Sequence, residues 1–285
     1  MKKIFAIDDD PEMLEMMTGM LSPLGCSMQF ATRCKGAVEK MRQFIPDAIL
    51  LDVLLPDGSG FEISRSVRAD SSLYKTPILF ISSIMDGPEV EYALTQGCDA
   101  YLGKPFSAKD LTTRLNDLHA LAGRINQPST GTNFLTLEAI TREIDHCVFQ
   151  QRAFALCYLS IEDFDAYQVI HGHEEAMGLI DHVCNAIRRT LVENDLRGTA
   201  IAHLGREYFL ALLPPASYDI FCRQVELNFS ASAPHGISLR IDVSLRNESH
   251  AVGTHVLLHE LQNAHKKHNG SQQPTLFRWD RHRNG

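Results

Sequence analysis

Short apolar runs recur along the first third of the chain, and each one breaks on a polar group. Lys3-Ile4-Phe5-Ala6-Ile7 stops at Asp8-Asp9-Asp10, Ala48-Ile49-Leu50-Leu51 at Asp52, Ile78-Leu79-Phe80-Ile81 at Ser82, and Tyr101-Leu102-Gly103 at Lys104-Pro105. Amphipathic helical stretches lie between the runs. Strands alternating with helices predict a parallel α/β sheet. Ser107-Ala108-Lys109-Asp110 opens the last of these helices as a capping box with Asp in place of Glu. Leu111, Leu115 and Leu118 give that helix its buried stripe. The pattern fades at Gly123, and Asn-Gln-Pro-Ser-Thr-Gly-Thr over 126–132 reads as a linker.

The second half has a different rhythm. A helix is predicted over about Leu135 to Phe149, then a strand, Phe154-Ala155-Leu156-Cys157-Tyr158-Leu159. In the long helix that follows, Met177, Ile180, Val183, Ile187 and Leu191 recur at helical spacing. Strands at Thr199 to Leu204 and Tyr208 to Leu213 are joined through Gly205-Arg206, a tight hairpin signal. After a helix from about Tyr218 to Phe229, strict alternation of Ile237, Leu239, Ile241, Val243 and Leu245 marks a half-buried strand. A final helix and the strand Thr275-Leu276-Phe277-Arg278-Trp279 complete the chain. We expect an α/β domain over 1–122, a linker over 123–132 and an α+β domain with a central mixed sheet over 133–285.

Composition narrows the partners. The 285 residues suffice for two domains with cores of ordinary size. A net charge of −8 and the lack of a lysine/arginine block argue against a broad nucleic-acid footprint, so no DNA contact is expected. Seven scattered cysteines without a C-x-x-C pair fit reduced thiols in a cytoplasm. Met1-Lys2-Lys3 and four apolar residues are too short for a signal peptide, and no run is long enough to insert in a membrane. Twelve of the thirteen histidines lie after residue 140. His255, His259, His265 and His268 share one helical stretch, but their spacing matches no catalytic motif and favours solvent-facing side chains over a zinc or nickel site.

The polar strand ends carry the chemistry. In a parallel α/β sheet the carboxyl ends of the strands form the site-bearing edge, so Asp8, Asp9, Asp52, Ser82 and Lys104 should converge there. Three clustered carboxylates call for a cation, and hard oxygen ligands with open positions suit Mg²⁺, which keeps waters and recruits a phosphate. A lysine and a hydroxyl beside it can bind phosphoryl oxygens. A carboxylate can accept the phosphoryl group as an aspartyl phosphate. Asp52, alone at the end of the central strand, is the natural acceptor.

These residues, with Leu51-Asp52-Val53-Leu54-Leu55-Pro56-Asp57-Gly58, Ser82-Ser83 and Lys104-Pro105-Phe106, make residues 1 to about 122 resemble a response-regulator receiver domain. The resemblance implies a doubly wound, five-stranded, flavodoxin-like fold. It implies Asp8 and Asp9 as metal acids, Asp52 as phosphoacceptor and the Leu54 carbonyl as a metal ligand. Ser82 becomes the switch hydroxyl, Lys104 the phosphate-binding cation and Tyr101 the aromatic switch residue. Mg²⁺ is the implied cofactor, a sensor histidine kinase or phosphotransfer protein the implied partner, and a homodimer through the last helix and strand the usual response. Leu54 and Ile84 would border the path of the hydrolytic water.

From about Asn133 onward the chain resembles a GGDEF domain of the diguanylate cyclase family. The resemblance rests on Ser160-Ile161-Glu162-Asp163-Phe164 through Gly172-His173 and on the hairpin Gly205-Arg206-Glu207-Tyr208-Phe209. Against that family's pattern, Ser160 replaces the first metal Asp and Glu162 a second Asp, while Glu207 keeps its acid. Asp165 replaces a lysine, and Gln168 and Val169 replace the Asn and Asp that read guanine. Arg206 stands for the second signature glycine and Tyr208 for an acid. Asp163, one residue from Glu162 in a strand, would face away from the site. The product-inhibition motif lacks its Arg at Val192-Glu193-Asn194-Asp195. No intact set of cyclase residues remains, so the second domain is expected to be a scaffold for a downstream protein partner and not an enzyme. The alternatives are a sensor holding a guanine nucleotide or cyclic di-GMP through Arg206 and Glu207, or an active cyclase.

Overall fold

The computed structural model describes residues 1–83, 92–246, 254, 257–259, 261, 263 and the backbone of 275–278. Ile84, His255, His265, His268 and Trp279, named above, lie outside the described residues. The chain divides into two compact units, one built on Met1–Asn126 and the other on Gln127–Cys147 and the segments after Gln151.

The first unit is a five-stranded sheet in the order β2-β1-β3-β6-β7, with every pairing parallel. The strands are β1 (Lys3–Ile7), β2 (Ser27–Ala31), β3 (Ala48–Asp52), β6 (Ile78–Ser82) and β7 (Ala100–Gly103). A two-rung ribbon, β4 (Leu54–Leu55) and β5 (Gly58–Ser59), follows β3. The helices are α1 (Pro11–Leu21), α2 (Ala37–Phe44), α3 (Gly60–Ala69) and α4 (Ala108–Asn126). Neighbouring strand residues point to opposite faces, so each strand feeds two cores. Phe5, Ile49, Leu51 and Phe80 pack with Met41, Ile63 and Val67 on one face. Ile4, Leu50, Leu79 and Ile81 pack with Leu14, Met17, Leu111, Leu115 and Leu118 on the other. Burial on both faces explains why the strands read as unbroken apolar runs.

The expected capping box forms: Ser107 N donates to Asp110 Oδ2 at 2.9 Å, and Asp110 N to Ser107 Oγ at 3.2 Å. The helix runs to Asn126, through Gly123, because Ile125 adds another buried residue to its stripe.

One buried charge staples this unit. Arg68 on α3 is fully buried, donating to the carbonyls of Gly97 (2.9 Å), Tyr74 (2.8 Å) and Thr76 (2.7 Å) and to Asp99 Oδ2 (2.6 Å). Asp70 just beyond caps the next turn. Its carboxylate accepts from Ser72 N (2.9 Å), Ser72 Oγ (2.7 Å), Leu73 N (3.2 Å) and Arg42 Nε (2.6 Å). Burial pushes the Asp70 pKa up, but these bonds outweigh it and hold the carboxyl below its ordinary value. A depressed folded-state pKa stabilises above the unfolded value and is lost as pH falls through the folded one. Asp70→Ala should therefore cost about 1–2 kcal/mol at neutral pH. Melting curves of variant and wild type should converge as acid protonates Asp70.

The second unit is a five-stranded sheet ordered β12-β11-β8-β10-β9. Its strands are β8 (Phe154–Ile161), β9 (Ala200–Gly205), β10 (Tyr208–Leu213), β11 (Leu239–Arg246) and β12 (Thr275–Arg278). The pairings β8–β10, β8–β11 and β9–β10 are antiparallel, and β11–β12 is parallel. The helices are α5 (Leu137–Phe149), α6 (Phe164–His171), α7 (His173–Glu193) and α8 (Tyr218–Ser230). Cys157, Leu159, Phe209, Ala211, Ile241 and Val243 pack against Val183, Ile187, Phe221 and Val225 on one face. Gly172, at φ 88°, separates α6 from α7. Met177 is exposed because the buried stripe of α7 runs through Ala176, Leu179 and Ile180.

Candidate functional site

The parallel register delivers the polar residues to one edge of the first sheet. Ile7 pairs with Leu51, and Asp52 with Ile81. The residues that follow or end these strands therefore lie side by side. Carboxylate oxygens of Asp8, Asp9 and Asp52 come within 4.8 Å of one another. Asp8 and Asp52 are buried and Asp9 is exposed. Lys104 Nζ lies 2.7 Å from Asp8 Oδ2 and 2.6 Å from Asp52 Oδ2. The second oxygens are held by backbone amides: Asp10 N donates to Asp8 Oδ1 at 3.0 Å and Leu54 N to Asp52 Oδ1 at 3.2 Å.

The electrostatics fit a cation-dependent pocket. Burial is the largest influence on Asp8 and raises its pKa, although Lys104 and the Asp10 amide pull the other way. Burial also disfavours the Lys104 ammonium, but Asp52 and Asp8 outweigh it and raise its pKa. A pocket of three acids and one lysine keeps excess negative charge, and hard oxygen donors of this kind suit Mg²⁺.

Ser82 is buried at the end of β6, and its carbonyl accepts from Lys104 N at 2.8 Å. The Lys104–Pro105 peptide is cis. Tyr101 is half-buried on β7 against the apolar cluster beneath the site. The Leu54 side chain is 63% exposed, at the rim. Asp8, Asp9, Asp52 and Lys104 thus meet as expected, with Ser82 and Tyr101 on the adjoining strands.

Two supporting residues escaped the sequence reading. Gly60 N donates to Val53 O at 2.9 Å, and a Cβ on Gly60 would lie 2.1 Å from the Asp52 carbonyl oxygen. Only glycine lets α3 begin this close to the strand end. Gly60→Ala should force the two backbones apart, costing about 2 kcal/mol or more in a melting experiment. Asp57 is the other, its carboxylate bonded to the loop after β2. The Gly58-Ser59-Gly60 run was the available signal for the first; the second stands in the Pro56-Asp57-Gly58 stretch, but its contact with the distant loop has no local signal.

The expected residues of the second unit are differently arranged. Ser160 is buried on β8. Glu162 Oε2 accepts from Ser238 Oγ at 2.6 Å, and its amide donates to Ser238 O at 2.9 Å. Asp163 is not in a strand: β8 ends at Ile161, and Asp163 takes a left-handed φ of 54° ahead of α6. That corrects the alternating-face argument. Gly205 (φ 97°) ends β9 opposite Tyr208, so the two-residue turn is Arg206 (φ 51°) and Glu207, one position later than the expected Gly205-Arg206. Arg206 pairs with Asp165, and its Nε lies 3.6 Å from Glu207 Oε2. Asp165 is therefore one half of an ion pair, not a bare repulsive charge. Glu207 is buried; the Tyr208 ring lies 5.7 Å from that of Tyr158, tilted by 32°, while Phe209 enters the core. Gln168 bonds His173 at 3.0 Å, and Val169 is 87% exposed. His259 contacts Asn263 at 3.1 Å, and among the described residues Asp8, Asp9 and Asp52 form the only group with metal-binding spacing.

Residues 4–116 match the family model of the response regulator receiver domain. Transcriptional regulatory protein TrcR of Mycobacterium tuberculosis is 33% identical over 148 residues, 50% of this chain and 56% of that protein. DNA-binding response regulator MtrA of Mycolicibacterium smegmatis is 34% identical over 114 residues, 40% of this chain and 49% of that protein. The chain thus spans about half the length of these curated relatives. A putative response regulator from Chloroflexus aurantiacus aligns with TM-score 0.40 and 28% identity, covering 42% of this chain and 98% of that one. No helix among the described residues is long and apolar enough to cross a membrane.

Proposed function

We propose, from the premise that residues 4–116 are a response regulator receiver domain, that the chain is a phosphorylation-switched regulator with Asp52 as acceptor. The observation that carries this is the meeting of Asp8, Asp9, Asp52 and Lys104 at one strand edge. Asp8, Asp9, Asp52 and the Leu54 carbonyl would hold Mg²⁺, which supplies neutralisation of the phosphoryl charge. An Asp52 carboxylate oxygen bonds to phosphorus as the donor's bond to phosphorus breaks: the P–N bond of a phosphohistidine, releasing the imidazole of a histidine kinase or phosphotransfer protein, or the P–O bond of a small acyl phosphate, releasing its carboxylate. Lys104 then shares its charge with the new oxygens, and Ser82 and Tyr101 move toward the modified strand end. Mg²⁺-dependent incorporation of labelled acyl phosphate tests this reading, and an unlabelled chain would end it.

The exposed Leu54 side chain leads to one kinetic expectation. An apolar group at the rim keeps water from the acyl phosphate, so Leu54→Asn should shorten its half-life, toward about a hundredfold if the amide positions the attacking water. An unchanged decay rate counts against the shielding.

For the second unit we favour a GGDEF-like fold that has lost catalysis and acts through protein contacts. The Asp165–Arg206–Glu207 ion-pair chain supports this, because the guanidinium already balances the acid that a metal would need. The second reading, a guanine-nucleotide or cyclic di-GMP sensor, keeps Arg206 and Glu207 as the holding groups. Incubation of the phosphorylated chain with GTP and Mg²⁺ separates them. We expect neither product nor calorimetric binding; binding without product supports the sensor, and product revives the cyclase.

A further inference from the structure

The segment after the phosphoacceptor strand is gripped from outside by a single carboxylate. β4 and β5 pair Leu54 with Ser59 and Leu55 with Gly58, leaving Pro56 and Asp57 at the tip. Asp57 reaches the loop between β2 and α2. Its Oδ1 accepts from Cys34 N at 2.7 Å and its Oδ2 from Lys35 N at 3.0 Å. One oxygen per amide makes a two-point clamp between loops more than twenty residues apart in sequence. Charge-assisted bonds of this kind are stronger than neutral ones. The Cys34 and Lys35 amides hold the Asp57 carboxyl below its ordinary pKa. The loops also touch, since a Cβ on Gly58 would meet Cys34 Sγ at 3.0 Å. At the base of the ribbon, Gly60 N binds Val53 O at 2.9 Å, and Leu54 N binds Asp52 Oδ1 at 3.2 Å. The segment from Asp52 to Gly60 is fixed at its base and at its tip.

We propose that Asp57 is a positioning residue for the divalent cation, holding the ribbon so that the Leu54 carbonyl stays aimed at the metal. This rests on the reading that Asp8, Asp9, Asp52 and that carbonyl bind Mg²⁺. Asp57 touches neither metal nor phosphoryl group; it acts through the ribbon. Mg²⁺ tolerates little departure from octahedral geometry at about 2.1 Å. A ribbon free at its tip would let one of the ligands drift. Loss of such a supporting partner weakens metal affinity about 10–100-fold in comparable sites.

The test is calorimetric titration of the full chain with Mg²⁺, paired with phosphoryl uptake from an acyl phosphate at varied Mg²⁺. Asp57→Ala should raise the Mg²⁺ Kd at least about tenfold, and Asp57→Asn, which keeps one acceptor oxygen but turns an NH2 donor toward the other amide, should raise it by less. Uptake by D57A should recover at saturating Mg²⁺, moving the half-saturating concentration and not the limiting rate. Asp57→Ser, too short to reach both amides, should repeat the D57A result from an independent variant. An unchanged Kd in D57A and D57S, or a rate depressed equally at all Mg²⁺ concentrations, overturns the clamp alone. A wild-type chain that takes up no Mg²⁺ overturns the pocket reading and the clamp with it.

Discussion

Asp52→Asn should leave the chain folded and unable to take up a phosphoryl group from an acyl phosphate. The wild type should gain one hydroxylamine-labile phosphoryl group when Mg²⁺ is present. Removing a reacting nucleophile commonly costs more than about a thousandfold in rate, so the variant should show no label by intact-mass spectrometry. The neighbouring acids offer no substitute. In the proposed site Asp8 and Asp9 are taken up by the cation, which leaves Asp52 as the nucleophile. Stability should change little, because Asn matches Asp in shape and relieves the repulsion with Asp8. The same pair of samples tests the output. If phosphorylated wild type and Asp52→Asn have the same mass in solution, the phosphorylation-dependent dimer fails.

Arg68→Ala should be the most damaging single substitution in the first unit. Breaking a buried ion pair by removing one partner costs about 3–5 kcal/mol, because the other charge is left without compensation. Here Asp99 would lose its 2.6 Å bond to Arg68 and keep the Ile78 amide at 2.8 Å. The carbonyls of Gly97, Tyr74 and Thr76 would lose a donor as well. This decides what the double variant should do. Arg68→Met with Asp99→Leu removes both charges and would restore stability if the ion pair alone mattered. It should recover only part, because three carbonyls still lack a cation and each buried unmade bond costs about 1–3 kcal/mol. Calorimetric melting of the full chain, following the transition absent from the Arg68→Ala sample, gives the comparison. Full recovery would show that the carbonyl bonds contribute nothing.

The strand ends were legible because an apolar run that stops on a charge announces both an end and a site. Asp8, Asp52 and Lys104 follow that rule, Ser82 follows it with a hydroxyl in place of a charge, and the parallel register aligns the strand ends. Arg68 was illegible for the opposite reason. On α3 it looks like any surface arginine, and its partners lie six to thirty-one residues away in segments with no pattern of their own. Asp57 likewise reads as a turn residue until the loop after β2 is folded against it. In the second unit, a hairpin and the strand β11 emerged where expected, but β11 is not half-buried: Arg240, Asp242 and Arg246 between its apolar residues are buried too, so alternation in the sequence did not translate into one solvent-facing side. Glu162 was different: its carboxylate is committed to Ser238, 76 residues later. The left-handed Asp163 ended the strand earlier than residue alternation alone suggests.

All five residues of β3 are buried, and the Asp52 side chain is only 10% exposed. The Asp52 carboxylate is thus recessed at the end of a packed strand, with Lys104 across it. A donor that carries phosphorus at the tip of a slender group can deliver it there and withdraw. If Asp52 is the acceptor as proposed, a donor whose phosphorus is flanked by bulk should react more slowly than a slender one.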